Sequence, residues 1–222
     1  MKISTELFQQ VLDIEENKAL SLVIEKQDVM LAFIKEVYNA VNDSDTTIVF
    51  SEDDKIIKAS KKVELITSFV PFELNEKRLL TKINAMLEEE AMSEVNYEKT
   101  MQAVANIEKY LTELVESVPY NIECGEMGVG NLIKAVNICI RDDSETEIEK
   151  VFNYMNAVTD LLGDRLFVFV NMGSFFDESE MIAFIKSVTA HKYKTMFIDN
   201  REYDFKNENV ERLIIDKDLC II

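Results

Sequence analysis

The sequence is poor in glycine and proline and has no tryptophan. Of its 222 residues, 5 are glycine and 2 are proline. So few turn-forming residues favour long helices and strands over a many-turned β-sandwich. The 3 cysteines, Cys124, Cys139 and Cys220, are odd in number and far apart. Their spacing argues against a disulfide framework and a CxxC metal motif, and we interpret them as buried or neutral thiols.

Long hydrophobic runs and a targeting segment are also missing. Nowhere do about 18 apolar residues follow one another, as a membrane-spanning helix requires. The residues after Met1 lack the basic and apolar regions of a signal peptide. With 47% hydrophobic and 30% charged residues, the chain can bury a core. We therefore expect a soluble cytoplasmic protein with no membrane partner.

Positive charge is scarce. The chain has 24 Lys and Arg against 42 Asp and Glu, a formal net charge of −18. Duplex-binding proteins neutralise phosphates with Lys and Arg, so this charge alone favours an acidic binding module or a divalent-cation protein. A nucleic-acid function requires the basic residues to gather on one surface while the carboxylates face elsewhere or are neutralised by metal.

The motifs of common enzymes are absent. His191 is the only histidine, which excludes histidine triads, zinc-binding histidine pairs and HExxH. The one glycine-rich loop, 120–130, matches neither GxxxxGK[ST] nor a dinucleotide fingerprint, and we interpret it as a hinge. The apolar run 166–170 ends in Asn171, where a Walker B strand presents a carboxylate to magnesium. We expect no bound nucleotide and no nucleotide hydrolysis.

The hydrophobic pattern predicts an α/β fold. Strands are predicted within 7–14 and at 20–24, 46–50, 166–170, 195–198 and 213–215, and helices at 28–41, 145–162 and 178–190. Residues 75–118 contain neither Gly nor Pro and predict a helical hairpin. Because strands precede and follow this hairpin, we expect an α/β domain of residues 1–72 and 140–222 with an inserted helical domain of residues 73–139.

The second helix of the hairpin carries apolar residues at alternating spacings of three and four. They are Val104, Ile107, Leu111, Leu114 and Val118. This spacing is typical of a coiled-coil seam. Two interpretations remain open: the two helices pack on each other within one subunit, or the seam pairs subunits.

Three C-terminal segments carry a recognisable pattern. They are LFVFVNMGSFF at 166–176, MFIDNREYDF at 196–205 and IDKDLCII at 215–222. In order and position they resemble the Csn2 family of type II-A CRISPR loci. The resemblance implies an α/β head similar to a degenerate P-loop ATPase fold, with an inserted α-helical leg.

The resemblance also implies a function. Members of this family are non-enzymatic, ring-shaped homotetramers that bind the ends of double-stranded DNA without sequence specificity and require calcium. By analogy, this chain takes part in spacer acquisition together with the CRISPR integrase complex and the RNA-guided effector nuclease. Catalysis belongs to those partners.

The candidate DNA-binding residues are the clustered basic ones. They are Lys55, Lys58, Lys61 and Lys62, then Lys77, Arg78 and Lys82, and Lys134 in a Leu-Ile-Lys context similar to the family's. A further basic group is Lys186, Lys192, Lys194 and Arg201. Such clusters follow a phosphate backbone without reading bases, or are ordinary surface lysines among many acids.

The candidate calcium ligands are carboxylates near the glycine-rich loop. They are Glu123, Glu126, Asp142 and Asp143. Calcium takes six to eight oxygen ligands. Relatives have an acid-rich loop where this chain has NIECGE at 121–126, so two potential oxygen donors lack a charge here.

Two other functions are compatible with the sequence. One is an acidic protein-interaction scaffold whose helical domain docks the adaptation complex, with little direct DNA binding. It predicts little salt dependence and no preference for linear DNA. The other is a metal-dependent nuclease that uses Asp142, Asp143, Glu145 and Glu147, whose carboxylates must then converge on metal ions.

Overall fold

The computed structural model describes residues 1–8, 10–203 and 208–222. The chain forms two compact units, Met1–Phe72 with Ser144–Ile222, and Glu73–Asp143. We call the first the α/β unit and the second the helical unit. The strands are β1 (Lys2–Ser4), β2 (Leu12–Asp13), β3 (Ala19–Ile24), β4 (Val49–Glu52), β5 (Lys55–Ile56), β6 (Val63–Ile66), β7 (Leu166–Val170), β8 (Lys194–Asp199) and β9 (Val210–Ile215). The helices are α1 (Gln27–Val41), α2 (Ala59–Lys62), α3 (Lys77–Ala91), α4 (Tyr97–Glu116), α5 (Val129–Ala135), α6 (Glu147–Leu162) and α7 (Glu178–Ala190).

A five-stranded parallel sheet is the centre of the α/β unit. Its order is β6-β7-β8-β3-β9, and every neighbouring pair is parallel. All residues of β3 and β7 are buried, as the apolar runs of strands covered on both faces predict. The α/β fold with an inserted helical segment is therefore confirmed.

Helices cover both faces of this sheet. On one face, Phe33 and Val37 of α1 join a buried cluster with Leu22 of β3. On the other face, the ring of Phe169 in β7 lies 5.5 Å from that of Phe184 in α7. Both α6 and α7 begin with a capping box. The capping side chain is that of Thr146 in α6 and that of Asp177 in α7. Such caps satisfy free backbone amides and fix where a helix begins.

A four-stranded antiparallel sheet, in the order β2-β1-β4-β5, packs into the same core. The strand predicted at 46–50 begins later, at Val49. The reason is Glu36 of α1, whose carboxylate accepts bonds from the Thr46 hydroxyl at 2.6 Å and the Thr47 amide at 2.7 Å. These bonds hold the two threonines as a loop against the helix.

The helical unit consists of α3, α4 and α5. Its buried hydrophobic residues are Leu74, Leu79 of α3 and Val104 of α4. The short helix α5 packs on both longer helices. All three cysteines of the chain are free and exposed and lie outside the helices and strands, so of the two predicted alternatives, buried or neutral thiols, burial is wrong. In the described part of the chain, no helix combines the length and apolarity needed to cross a membrane.

Candidate nucleic-acid interface

The first basic cluster lies in the α/β unit. Lys55 is in β5, Lys58 precedes α2, and Lys61 and Lys62 are in α2. Lys62 is half-buried and donates to the backbone carbonyl of Asp164 at 3.4 Å. The other three lysines are exposed and form no ion pair with any described residue. Three of the four predicted positions are therefore free to contact an external phosphate.

Lys194, from the further basic group, is not available to a phosphate. Its ammonium group is bonded to Glu52 and lies 3.6 Å from a carboxylate oxygen of Glu16. The bond from Lys194 is the main reason that the pKa of Glu52 lies below its ordinary value. Only 15% of the Lys194 side chain is exposed. Its role is to tie the start of β8 to β4.

The second basic cluster lies at the start of α3. Lys77 is the first residue of this helix, and Arg78 pairs with Glu76 at 2.6 Å. Lys82 is exposed and lies one turn beyond Arg78, on the same face of the helix. The first turn has no acidic residue and the last turn has no basic one. This is the reverse of what the helix dipole favours, so these cations are not explained by helix stability.

Lys134 lies in the last turn of α5 and is exposed. Its helix packs closely on α3, because Gly130 approaches Glu88 so nearly that an added Cβ would lie 2.8 Å from the carboxylate. The helical unit therefore carries Lys134 and the α3 cluster on two helices in direct contact. The first cluster belongs to the other unit.

The four candidate calcium ligands do not form a metal site within one chain. Glu123, Glu126, Asp142 and Asp143 are all exposed. Asp143 pairs with Arg141 at 2.7 Å. Across residues 1–8, 10–203 and 208–222, no group of three or more His, Cys, Asp or Glu is arranged to hold a metal ion. The donors of a single chain therefore do not fit calcium.

Two of the four carboxylates of the nuclease hypothesis, those of Asp143 and Glu147, form ion pairs. Glu147 starts α6 and lies 3.6 Å from the ammonium group of Lys150. The backbone amide of Glu145 donates to Glu149 as part of the helix start. Glu147 and the backbone amide of Glu145 thus contribute to the start of α6.

The sequence did not predict a contact between two of the family-like segments. The 3₁₀ turn Met172–Ser174 follows β7, and the ring of Tyr203 lies against it. The hydroxyls of Ser174 and Tyr203 are 2.8 Å apart, and Nε of Arg201 donates to the same Tyr203 oxygen at 2.9 Å. Asp204 and Phe205, also in the second segment, lie outside the described residues.

The only sequence signal for this contact was Gly173. An added Cβ there would lie 2.8 Å from the Tyr203 ring, so a larger residue requires the ring to move. Gly173 lies three residues after the buried strand β7, and glycine allows such a close approach because it has no Cβ. Its partner, 30 residues later, could not be identified without the order of the strands.

Comparison with known proteins identifies the family. The family model described as CRISPR-associated protein (Cas_Csn2) matches residues 39–219. The CRISPR-associated protein Csn2 of Streptococcus agalactiae is 24% identical over 214 residues, which cover 93% of this chain and 91% of that protein. The crystal structure of Stu0660 of Streptococcus thermophilus shares the fold, with a TM-score of 0.54 at 15% identity over 97% of this chain and 75% of that one. The chain therefore belongs to the CRISPR-associated Csn2 family.

Proposed function

We propose that this protein is a non-enzymatic adaptor of type II-A spacer acquisition that binds double-stranded DNA ends without sequence specificity as a ring-shaped homotetramer. One observation carries the DNA-binding part. Lys77 is the first residue of α3, where the helix dipole disfavours a cation, and it has no ion pair with a described residue, whereas Arg78 beside it pairs with Glu76. Because a cation at this position destabilises the helix by about 0.3–1 kcal/mol, helix stability does not account for its presence. A bound phosphate backbone would offset this unfavourable interaction with its negative charge.

The proposed oligomer has support in α4. Val104 is 4% exposed and belongs to the interior of the helical unit. Further along the same helix, Leu111 and Leu114 are 41% and 44% exposed, while Val118 of the predicted seam lies two residues beyond the end of α4 and is 41% exposed. A second copy of the chain offers the same apolar stripe, which makes a self-complementary interface. The first half of the seam therefore packs inside one subunit, and we assign the second half to the contact between subunits.

The proposal that the protein is not an enzyme rests on the sequence. The chain lacks the phosphate loop of an NTPase, and its β3–α1 connection, Glu25-Lys26, is too short to contain one. Two of the four carboxylates of the nuclease hypothesis are engaged in ion pairs, Glu147 with Lys150 at a helix start and Asp143 with Arg141. Nuclease activity is tested by incubating linear duplex with magnesium, manganese or calcium.

Charge reversal in α3 tests the DNA contact. We expect K77E with K82E to weaken duplex binding and to reduce the slope of log affinity against log salt by about 2, one for each lost phosphate contact. Because Glu at the start of a helix is favoured by the dipole, K77E should leave thermal stability unchanged or raised. K35E, on the exposed face of α1, is the control for a general change in charge.

A result in which the α3 variant binds duplex as tightly as wild type removes this contact from the proposal.

The acidic-scaffold alternative has its own support in the net charge of −18 and in the exposed run Glu88-Glu89-Glu90 on the same helix. It predicts weak binding of wild type and variant alike, with little salt dependence. Repeating the binding with calcium and with a chelator tests the calcium prediction separately.

A further inference from the structure

A cavity of about 850 Å³ lies where an α/β sheet commonly binds ligands. It is lined by Glu25–Asp28 after β3, Asn200–Glu202 after β8 and Lys217 after β9. The three strands are neighbours in the parallel sheet. Their carboxyl ends therefore meet at one edge, and crevices outside such edges are the usual ligand sites of open α/β sheets.

Arg201 lines this cavity, and Tyr203 fixes the position of its side chain. Its guanidinium carbon lies 4.8 Å from the centre of the Tyr203 ring, and its Nε donates to the Tyr203 hydroxyl. That hydroxyl is also bonded to Ser174, which fixes the ring from the other side. Among the described residues, no acceptor is bonded to the two terminal nitrogens of Arg201. A fixed guanidinium with two free donors suits an oxyanion.

Lys217 adds a second cation. It is exposed, and it has no ion pair within the described ranges of the chain. Lys26 is the third basic residue of the lining, and its ammonium group lies 3.9 Å from a carboxylate oxygen of Asp28. Of these three cations, only Lys26 forms an ion pair with a described carboxylate, although the charge of Arg201 also acts on the buried Asp199.

The cavity also has three acidic residues, and two of them are already engaged. Glu202 forms an ion pair with Arg212. Asp28 accepts the Val29 amide at 3.0 Å in addition to its contact with Lys26. Glu25 is the remaining carboxylate. The negative charge of Glu25 is therefore the main one that opposes the binding of an anion here, and the substitution E25Q removes it.

We propose that this cavity binds a phosphate group through Arg201 and Lys217. The phosphate is either one of DNA or one of a free phosphate compound, since the same chemistry recognises both. Lys217 belongs to none of the basic clusters considered for the duplex above, and Arg201 belongs only to the further basic group, not to the clusters of the α2 and α3 regions. The inference concerns phosphate binding itself and stands independently of the proposed duplex binding.

The test is a calorimetric titration of the full chain with inorganic pyrophosphate at constant low ionic strength. The variants are K217Q and E25Q, with K35Q as the control, because it removes the same charge as K217Q from an exposed site on α1. We expect K217Q to weaken pyrophosphate binding about two- to fivefold, E25Q to strengthen it about two- to fivefold, and K35Q to leave it unchanged. Equal affinities in all four proteins, or no saturable binding by wild type, overturn the proposal.

A parallel titration with a short blunt duplex distinguishes the two sources. If K217Q weakens duplex and pyrophosphate binding by the same factor, the site takes a phosphate of DNA. If the pyrophosphate affinities follow the expected order while the duplex affinity does not change, the site takes a free phosphate compound. Complete absence of duplex binding contradicts the function proposed above but leaves the pyrophosphate result valid.

Discussion

Asp199 ends β8 and is 3% exposed. One of its carboxylate oxygens has no hydrogen-bond partner in the described residues. Burial raises its pKa to about 7, although the charge of Arg201 lowers it in part. The unfolded chain has an ordinary aspartate pKa of about 3.9. Between these values the folded protein holds a proton that the unfolded chain releases, so stability falls as pH rises through this window.

The variant D199N removes this dependence. Near pH 3.9, D199N and wild type should have similar free energies of unfolding. As the pH rises to 7, the free energy of unfolding of D199N should increasingly exceed that of wild type, by as much as about 4 kcal/mol. Urea unfolding at a series of pH values measures this difference. D45N, in an exposed loop, is the control. Parallel pH profiles for D199N and wild type would show that Asp199 does not titrate in this range.

Gly173 leaves the space that the ring of Tyr203 occupies. In G173A the new Cβ lies 2.8 Å from the Tyr203 ring, so the ring must move and the bonds to Ser174 and Arg201 are lost. We expect a loss of about 1–3 kcal/mol in unfolding free energy. G125A is the matched control, because nothing lies within 4 Å of its new Cβ. Equal stability of both variants would contradict the close contact.

At the scale of elements, periodicity was sufficient where an element is long and has one apolar face. The predicted helices at 28–41, 145–162 and 178–190 correspond to α1, α6 and α7 within two residues. The apolar run 166–170 is β7. Short elements such as α2, β5 and α5 were not predicted, because two to seven residues are too few to define a period.

The candidate site was only partly predictable for a different reason. Sequence clustering found the exposed lysines of α2 and α3, which are near one another in the chain. It also grouped Lys194 with surface residues, although Glu52 and Glu16 bury it. The cavity at the carboxyl edge joins residues from three distant segments. Such a site depends on the strand order, which the local pattern does not contain.

The seam of α4 permits a prediction about assembly. L111S with L114S should reduce the oligomer to a smaller species without unfolding it, because both side chains are already about two-fifths exposed in one chain. V104S should instead destabilise the helical unit, since Val104 is 4% exposed. Light scattering after size-exclusion chromatography and circular dichroism measure the two effects. Unchanged mass for the double variant would contradict the proposed pairing of subunits through α4.

At the scale of the whole molecule, the net charge of −18 is the main obstacle to DNA binding. The structure reduces it locally. Lys194 and Glu52 neutralise each other inside the α/β unit, while Lys55, Lys58 and Lys61 are exposed and free of ion pairs with described residues. Within α3, the cations Lys77, Arg78 and Lys82 lie in the first half of the helix and the Glu88–Glu90 run lies at its end. The charges of this helix are therefore segregated along its length, as duplex binding by an acidic protein requires.

A closed ring gives end dependence without any base contact, since only a duplex with a free end can be threaded. The measurement that tests the proposed function most directly is binding to matched linear and covalently closed circular duplexes over a series of salt concentrations. We predict binding to the linear form that falls steeply with salt, and little binding to the closed circle. Equal affinity for both forms, or binding that salt does not affect, would contradict the proposed DNA-end adaptor.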